Sequence, residues 1–186
     1  MSAAVDLRLT NADIESMPED GNRYEVIDGE LFVSSAPSYV HQMILGRILR
    51  LIGNYLDRNP IGSIVAGIGV IFDEYTGVIP DLVFASKERL RKILGGGRFQ
   101  AAPEIAIEIL SPGPSNQRRD RHAKRNLYAA RGVEEYWLFD PESRTLEVYR
   151  RDPAGELVSQ GSLLGDDPLT SPVLPGFSAP VSRFFE

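Results

Sequence analysis

Two acids interrupt stretches that otherwise read as buried β-strands, and no other feature restricts the fold as strongly. Asp81 stands in Val78-Ile79-Pro80-Asp81-Leu82-Val83-Phe84, and Glu108 in Glu104-Ile105-Ala106-Ile107-Glu108-Ile109-Leu110. An ionised carboxylate in an apolar strand is costly unless it is paired or binds a metal. Alternate strand residues share a face. Asp81 therefore lies with Ile79 and Val83, and Glu108 with Ala106 and Leu110. If the two strands are neighbours in register, the carboxylates meet at one spot. Convergent hard oxygen donors without His or Cys favour Mg²⁺ or Mn²⁺.

The elements around these strands are legible from local signals. Thr10 and the acids after it predict a short helix ended by Pro18, Asp20 and Gly21. Arg23–Ser35 alternates around Asp28-Gly29 and reads as a β-hairpin. Pro37-Ser38 opens a long helix to about Asn59, with Val40, Ile44, Ile48, Leu51, Ile52 and Tyr55 at helical spacing. Gly62–Asp73 reads as a strand or a bulged pair of strands, and Glu74–Gly77 as a turn before the Asp81 strand. Lys87–Leu94 predicts a charged helix, and Gly95-Gly96-Gly97 a loop. After the Glu108 strand, Ser115 is the expected cap of a helix that Gly132 closes. Glu135–Arg151 reads as a hairpin, followed by one strand near Glu156–Val158 and a tail docked by Phe184-Phe185. This order predicts a mixed α+β sheet flanked by helices. One domain over residues 1–186 is expected, with its core at about 22–150 and a C-terminal hairpin and tail at 151–186.

Composition removes several classes of function. The chain has no cysteine, which excludes disulfide scaffolds, thiolate metal sites and Cys nucleophiles, and its two histidines are too few for most His-based metal centres. No dinucleotide or P-loop fingerprint and no G-x-S-x-G elbow occurs. The N-terminus shows no secretory leader, and no run nears the ~18 apolar residues of a membrane span. A cytoplasmic protein is expected, with no membrane partner. The net charge of −6 averages over an uneven distribution. Arg118, Arg119, Arg121, Lys124, Arg125 and Arg131 cluster on one predicted helix, opposed locally only by Asp120.

On that helix Gln117, Arg121, Lys124, Tyr128 and Arg131 form a polar stripe beside Ala123, Leu127 and Ala130. Lys124 is then at the edge of the core. It is either a solvated lysine or a group that reaches the carboxylates, positions a water and offsets phosphoryl charge. With the stem kept in place, Lys124→Met is expected to alter folding little. Arg118, Arg121 and Arg125 form either a solvated face or a strip for a phosphate backbone. Glu25 is either a further ligand or an outward-facing strand residue, and His41 either a helix-start packing residue or part of the site. Gln117 and Tyr128 share the lysine's stripe as supporting candidates.

Pro80-Asp81 followed by Glu108 in an apolar strand resembles the PD-(D/E)xK superfamily with its restriction-endonuclease-like fold. The ordered set Tyr24–Leu31, Pro37–Ile44, Pro80–Phe84, Pro103–Gly113, Lys124 to Tyr128 and Gly132–Pro141 resembles, more narrowly, the bacterial Uma2 family (DUF820). The resemblance implies Mg²⁺- or Mn²⁺-dependent hydrolysis of phosphodiester bonds in DNA. Asp81, Glu108 and the backbone carbonyl of Ile109 would hold the metal, and Lys124 would orient the attacking water. The superfamily pattern puts lysine two residues after the glutamate, where this chain has Leu110. Lys124 resembles a relocated equivalent. The competing reading is a nuclease-fold binding or assembly module with weak or no catalysis. A homodimer would suit cutting of both strands.

Overall fold

The computed structural model describes residues 8–111 and 119–186. Ser115, Gln117 and Arg118 lie outside the described residues. Thr10 caps α1 (Asn11–Glu15) reciprocally: its hydroxyl accepts from the Asp13 N–H, and the Asp13 carboxylate accepts from the Thr10 N–H at 2.8 Å. β1 (Arg23–Ile27) and β2 (Glu30–Ser34) pair through a turn in which Asp28 and Gly29 both have positive φ, 52° and 84°. That backbone matches the strand twist and is why an Asp-Gly pair sits there. α2 (Tyr39–Arg58) starts at Ser38, whose side chain accepts from the His41 N–H. Its inward face carries His41, Ile44, Ile48, Leu51, Ile52, Tyr55 and Leu56. Val40 is not part of that stripe. It lies in the first turn, 52% exposed, while His41 is buried.

The Gly62–Asp73 segment is neither one strand nor a bulged pair. β3 (Gly62–Ala66) and β4 (Val70–Asp73) belong to different sheets. Gly67 between them, at φ 61°, lets the chain change sheets. The expected turn after β4 tightens around Glu74 and Tyr75, and Thr76 already begins β5 (Thr76–Val78). β6 (Leu82–Ser86) then leads into α3 (Lys87–Ile93). The glycines predicted to form a loop instead turn a small hairpin, β7 (Leu94–Gly95) with β8 (Arg98–Phe99). Phe99 is buried and anchors it.

β9 (Ile105–Ile109) is buried along its whole length. A π-helical turn (Arg119–Lys124) runs into α4 (Arg125–Arg131), and Gly132 closes that helix at φ 88°. The chain continues through β10 (Glu135–Asp140), β11 (Thr145–Arg151), β12 (Leu157–Leu164), β13 (Pro168–Thr170), β14 (Ser178–Pro180) and α5 (Ser182–Phe185). β12 is much longer than the expected Glu156–Val158 because it pairs with β11 along nearly its full length.

One sheet has the order β2-β1-β5-β4-β8-β7 and the other β12-β11-β10-β9-β6-β3. In the second, β9 is parallel to β10 and antiparallel to β6. One face of this sheet, with Leu82, Phe84, Ile107, Trp137 and Phe139, packs on α2 and on Leu169, Leu174 and Phe184 of the C-terminal segment. The other face, with Val83, Ala106, Tyr136 and Leu138, packs on Leu127 and Tyr128 of α4 and on Ile27, Val70 and Val78 of the first sheet. This is the expected mixed α+β arrangement. Among the described residues no helix is long and apolar enough to cross a membrane.

Candidate active site

The register of the central sheet brings the two strand acids together. β6 and β9 pair Leu82 with Ile107, Val83 with Ala106 and Phe84 with Ile105. Continued by one residue, that register sets Asp81 opposite Glu108 on the same face. Directly opposed residues in an antiparallel pair have Cβ atoms about 4.5–5.5 Å apart. Both acids are buried, 3% and 2% exposed. They line a small cleft with Arg23, His41, Ile109 and Ser111.

Each carboxylate has its own set of donors. Asp81 accepts from Arg23 at 3.0 Å on Oδ1, and from His41 Nε2 at 3.0 Å and the Ile109 N–H at 2.9 Å on Oδ2. The carboxylate only accepts, so Nε2 is the protonated ring nitrogen. His41 Nδ1 is buried and has no hydrogen-bond partner among the described residues. Burial pushes the Asp81 carboxyl up. The His41 hydrogen bond, the attraction of His41 and Arg23, and the Ile109 N–H outweigh it and hold the group well below the usual carboxylate range.

Glu108 is placed differently. Its Oε1 accepts from Lys124 Nζ at 2.8 Å and from the Tyr128 hydroxyl at 2.9 Å. Lys124 Nζ also lies 3.0 Å from Glu25 Oε1, which accepts from the Ile79 N–H at 2.7 Å. Lys124 is therefore shared between two carboxylates. Burial raises the Glu108 carboxyl to about 8; Lys124 opposes that shift, while Asp81, Asp120 and Glu25 reinforce it. Burial and the neighbouring Glu108 charge push the Tyr128 hydroxyl well above its ordinary value, so it acts as a neutral donor.

The structure thus gathers Asp81, Glu108, Lys124, Glu25, His41, Tyr128 and the Ile109 backbone into one place. Glu25 faces inward rather than to solvent, and its alternation with Arg23 along β1 turns both toward the cleft. Lys124 is not at the core edge but fully enclosed, at 1% exposure. The predicted stripe divides because a π-helical turn precedes α4. Asp120, Lys124 and Tyr128, at steps of four, face the core, while Ala130 is exposed and Ala129 buried. Enclosure overturns the expectation that Lys124→Met leaves folding nearly unchanged, since it would strand Glu25 and Glu108 without their shared cation.

The arginine strip is also different. Arg121 is tied to Asp140 at 3.1 Å and to Glu147, and Arg131 to Asp73. Arg125 lies over the Tyr149 ring at 5.2 Å. The acids that neutralise these arginines come from distant strands, which a local reading of charge overlooks. Arg23 was not singled out by the sequence. Its signal was there, two residues before Glu25 on the same strand face.

A divalent cation needs few protein ligands here. Mg²⁺ is commonly held by one or two carboxylates, with water completing its shell. Among the described residues no group of three His, Cys, Asp or Glu side chains has metal-ligating geometry. The donor set on hand is Asp81, Glu108 and the Ile109 carbonyl. Both hydrogen bonds to Glu108 go to Oε1, which leaves Oε2 as a donor atom on a residue lining the cleft. Two opposed carboxylate oxygens and a carbonyl suit a hard cation.

A mixed sheet flanked by helices, with an aspartate at the entry to one central strand and a glutamate within its neighbour, defines the fold. The crystal structure of a "putative nuclease belonging to DUF820" from Anabaena variabilis has that fold. It superposes with a TM-score of 0.78 at 20% identity, covering 95% of this chain and 97% of that one. Residues 12–182 match the model of the Uma2 family, described as "Putative restriction endonuclease". The chain belongs to the Uma2 family. It is 28% identical over 138 residues to the Synechocystis protein slr1290, covering 72% of this chain and 69% of that protein. The type IIG restriction endonuclease BpuSI shows weaker similarity, with a TM-score of 0.42 over 86% of this chain and 17% of that one.

Proposed function

We propose that the protein is a metal-dependent endonuclease that hydrolyses phosphodiester bonds in DNA. The observation that carries this reading is that buried Asp81, at the entry to β6, and buried Glu108, on the paired strand β9, line one cleft, with Lys124 Nζ 2.8 Å from Glu108. Asp81, Glu108 and the Ile109 carbonyl would hold Mg²⁺ or Mn²⁺, which when bound supplies Lewis-acid polarisation of a phosphoryl oxygen and a more acidic water. Lys124 and Tyr128 fix the rotamer of Glu108 and put positive charge and a neutral donor beside the reacting centre, where negative charge grows. The His41 and Ile109 N–H contacts fix Asp81. The family description supports a nucleic-acid substrate; the choice of DNA is part of the proposal.

One observation favours the alternative of a nuclease-fold binding module. Asp81 already accepts three hydrogen bonds from within the chain and is satisfied without a metal. Calorimetric titration with Mn²⁺ and digestion of plasmid, single-stranded DNA and RNA separate the two. The proposal expects Mn²⁺ binding that Glu108→Gln weakens at least tenfold, and metal-dependent nicking of DNA that the same variant abolishes. Intact substrates at saturating Mn²⁺ would hand the function to the binding module.

A further inference from the structure

We infer that Arg23 is a built-in cation occupying the carboxylate site of the resting protein, and that it must leave Asp81 before a divalent ion is held there, becoming free to grip a substrate phosphate. The inference rests on the metal-site reading above and adds to it a residue that exchanges places with the ion.

The geometry distinguishes Arg23 from the other cation at the site. Its guanidinium bridges Asp81 Oδ1 at 3.0 Å and the Ile79 carbonyl at 3.1 Å. These are hard oxygen acceptors, and a metal would seek one of them. Arg23 also feels the charges of Glu108 and Glu25. Yet its side chain is 29% exposed, against 5% for Asp81, so it reaches the carboxylate from the solvent side. Lys124, at 1% exposure, is clamped between two carboxylates and has no such exit. Of the two cations, only Arg23 can withdraw without opening the core.

Competition between like charges favours the exchange. Arg23 and a divalent ion would both lie against the Asp81 carboxylate in a desolvated site, where two neighbouring cations repel strongly. A compact divalent ion also competes well against a delocalised guanidinium for an oxygen anion. Once released at the cleft mouth beside Ser34 and Ser35, the guanidinium has the planar fork that binds phosphate oxygens in pairs.

The test uses the whole 186-residue chain without nucleic acid and reads metal affinity. Arg23→Met keeps the aliphatic stem but removes the competing charge, and should bind Mn²⁺ roughly tenfold more tightly than the parent. Arg23→Gln, which keeps a donor for the Ile79 carbonyl, should do the same. With the site loaded by Ca²⁺ to prevent turnover, both variants should bind a short DNA duplex several-fold more weakly, a loss that a purely structural role would not pair with tighter metal binding. Equal or weaker Mn²⁺ binding by a folded variant, when the parent binds the ion, overturns the exchange and leaves the metal site standing. Absence of Mn²⁺ binding by parent and variants alike overturns both. If neither variant folds, Arg23 is a structural cation and the inference fails.

Discussion

At the scale of single residues, the site is a contest between burial and pairing. Lys124 touches both Glu25 and Glu108. Removing one partner of a buried ion pair typically costs 3–5 kcal/mol, because the remaining charge is left uncompensated. Lys124→Met should therefore lower stability to urea by about that amount at neutral pH. A midpoint unchanged from the parent would place the lysine elsewhere. The two strand acids should also act oppositely on stability as pH changes. Asp81 titrates below its ordinary value in the folded state, so its contribution is present above about pH 4 and lost in stronger acid. Glu108 titrates at about 8, so the folded state holds its proton where the unfolded chain does not. Stability then declines as pH rises from about 4.5 toward 8. Urea midpoints across that range should fall in the parent and fall less in Glu108→Gln; parallel slopes would contradict the assignment. The retained proton competes with metal over the same window, so Mn²⁺ affinity should rise toward pH 8.

At the scale of elements, α4 matters because its entry and exit fix where Lys124 and Tyr128 point. Gly132 ends it at φ 88°, with nothing near the position a Cβ would occupy. Gly132→Ala therefore isolates a backbone effect, and a loss of roughly 1–2 kcal/mol is expected. Such conformational signals were legible from sequence. The Thr10 box, the Asp28-Gly29 turn, Ser38 and Gly132 all act through their own neighbours in the chain. The facing of Asp81 and Glu108 was legible too, since strand alternation assigns a face and only the pairing remained open. What sequence could not supply was tertiary in origin. The π-helical turn rotates α4 so that Lys124 is enclosed. Asp140 and Glu147 reach Arg121 from other strands, and Arg23 finds Asp81 across 58 residues. Each depends on contacts distant along the chain, and no local pattern encodes them.

At the scale of the whole molecule, the C-terminal segment completes the core. Leu169, Leu174, Phe177 and Phe184 are buried against α2 and the central sheet, and the Phe139 ring packs at a tilt on Phe184 with ring centroids 5.3 Å apart. Buried Glu135 helps hold that segment, accepting from Ser171 at 2.8 Å and from the Trp137 indole at 2.7 Å. Phe184→Ala should cost about 3–5 kcal/mol, measured by thermal or urea unfolding. A loss below about 1 kcal/mol would show the segment to be an appendage. The helix α2 carries His41 at one end and shares one core cluster with this segment. Loosening the tail should therefore also weaken the hold of His41 on Asp81.

The central claim is that Asp81 and Glu108 share one cation, and anomalous diffraction from crystals soaked in Mn²⁺ tests it most directly. The account predicts a single strong peak within coordination distance of an oxygen from each carboxylate, with the Arg23 guanidinium withdrawn from Asp81. No peak at that position under saturating Mn²⁺, or manganese bound only at surface acids, would contradict it.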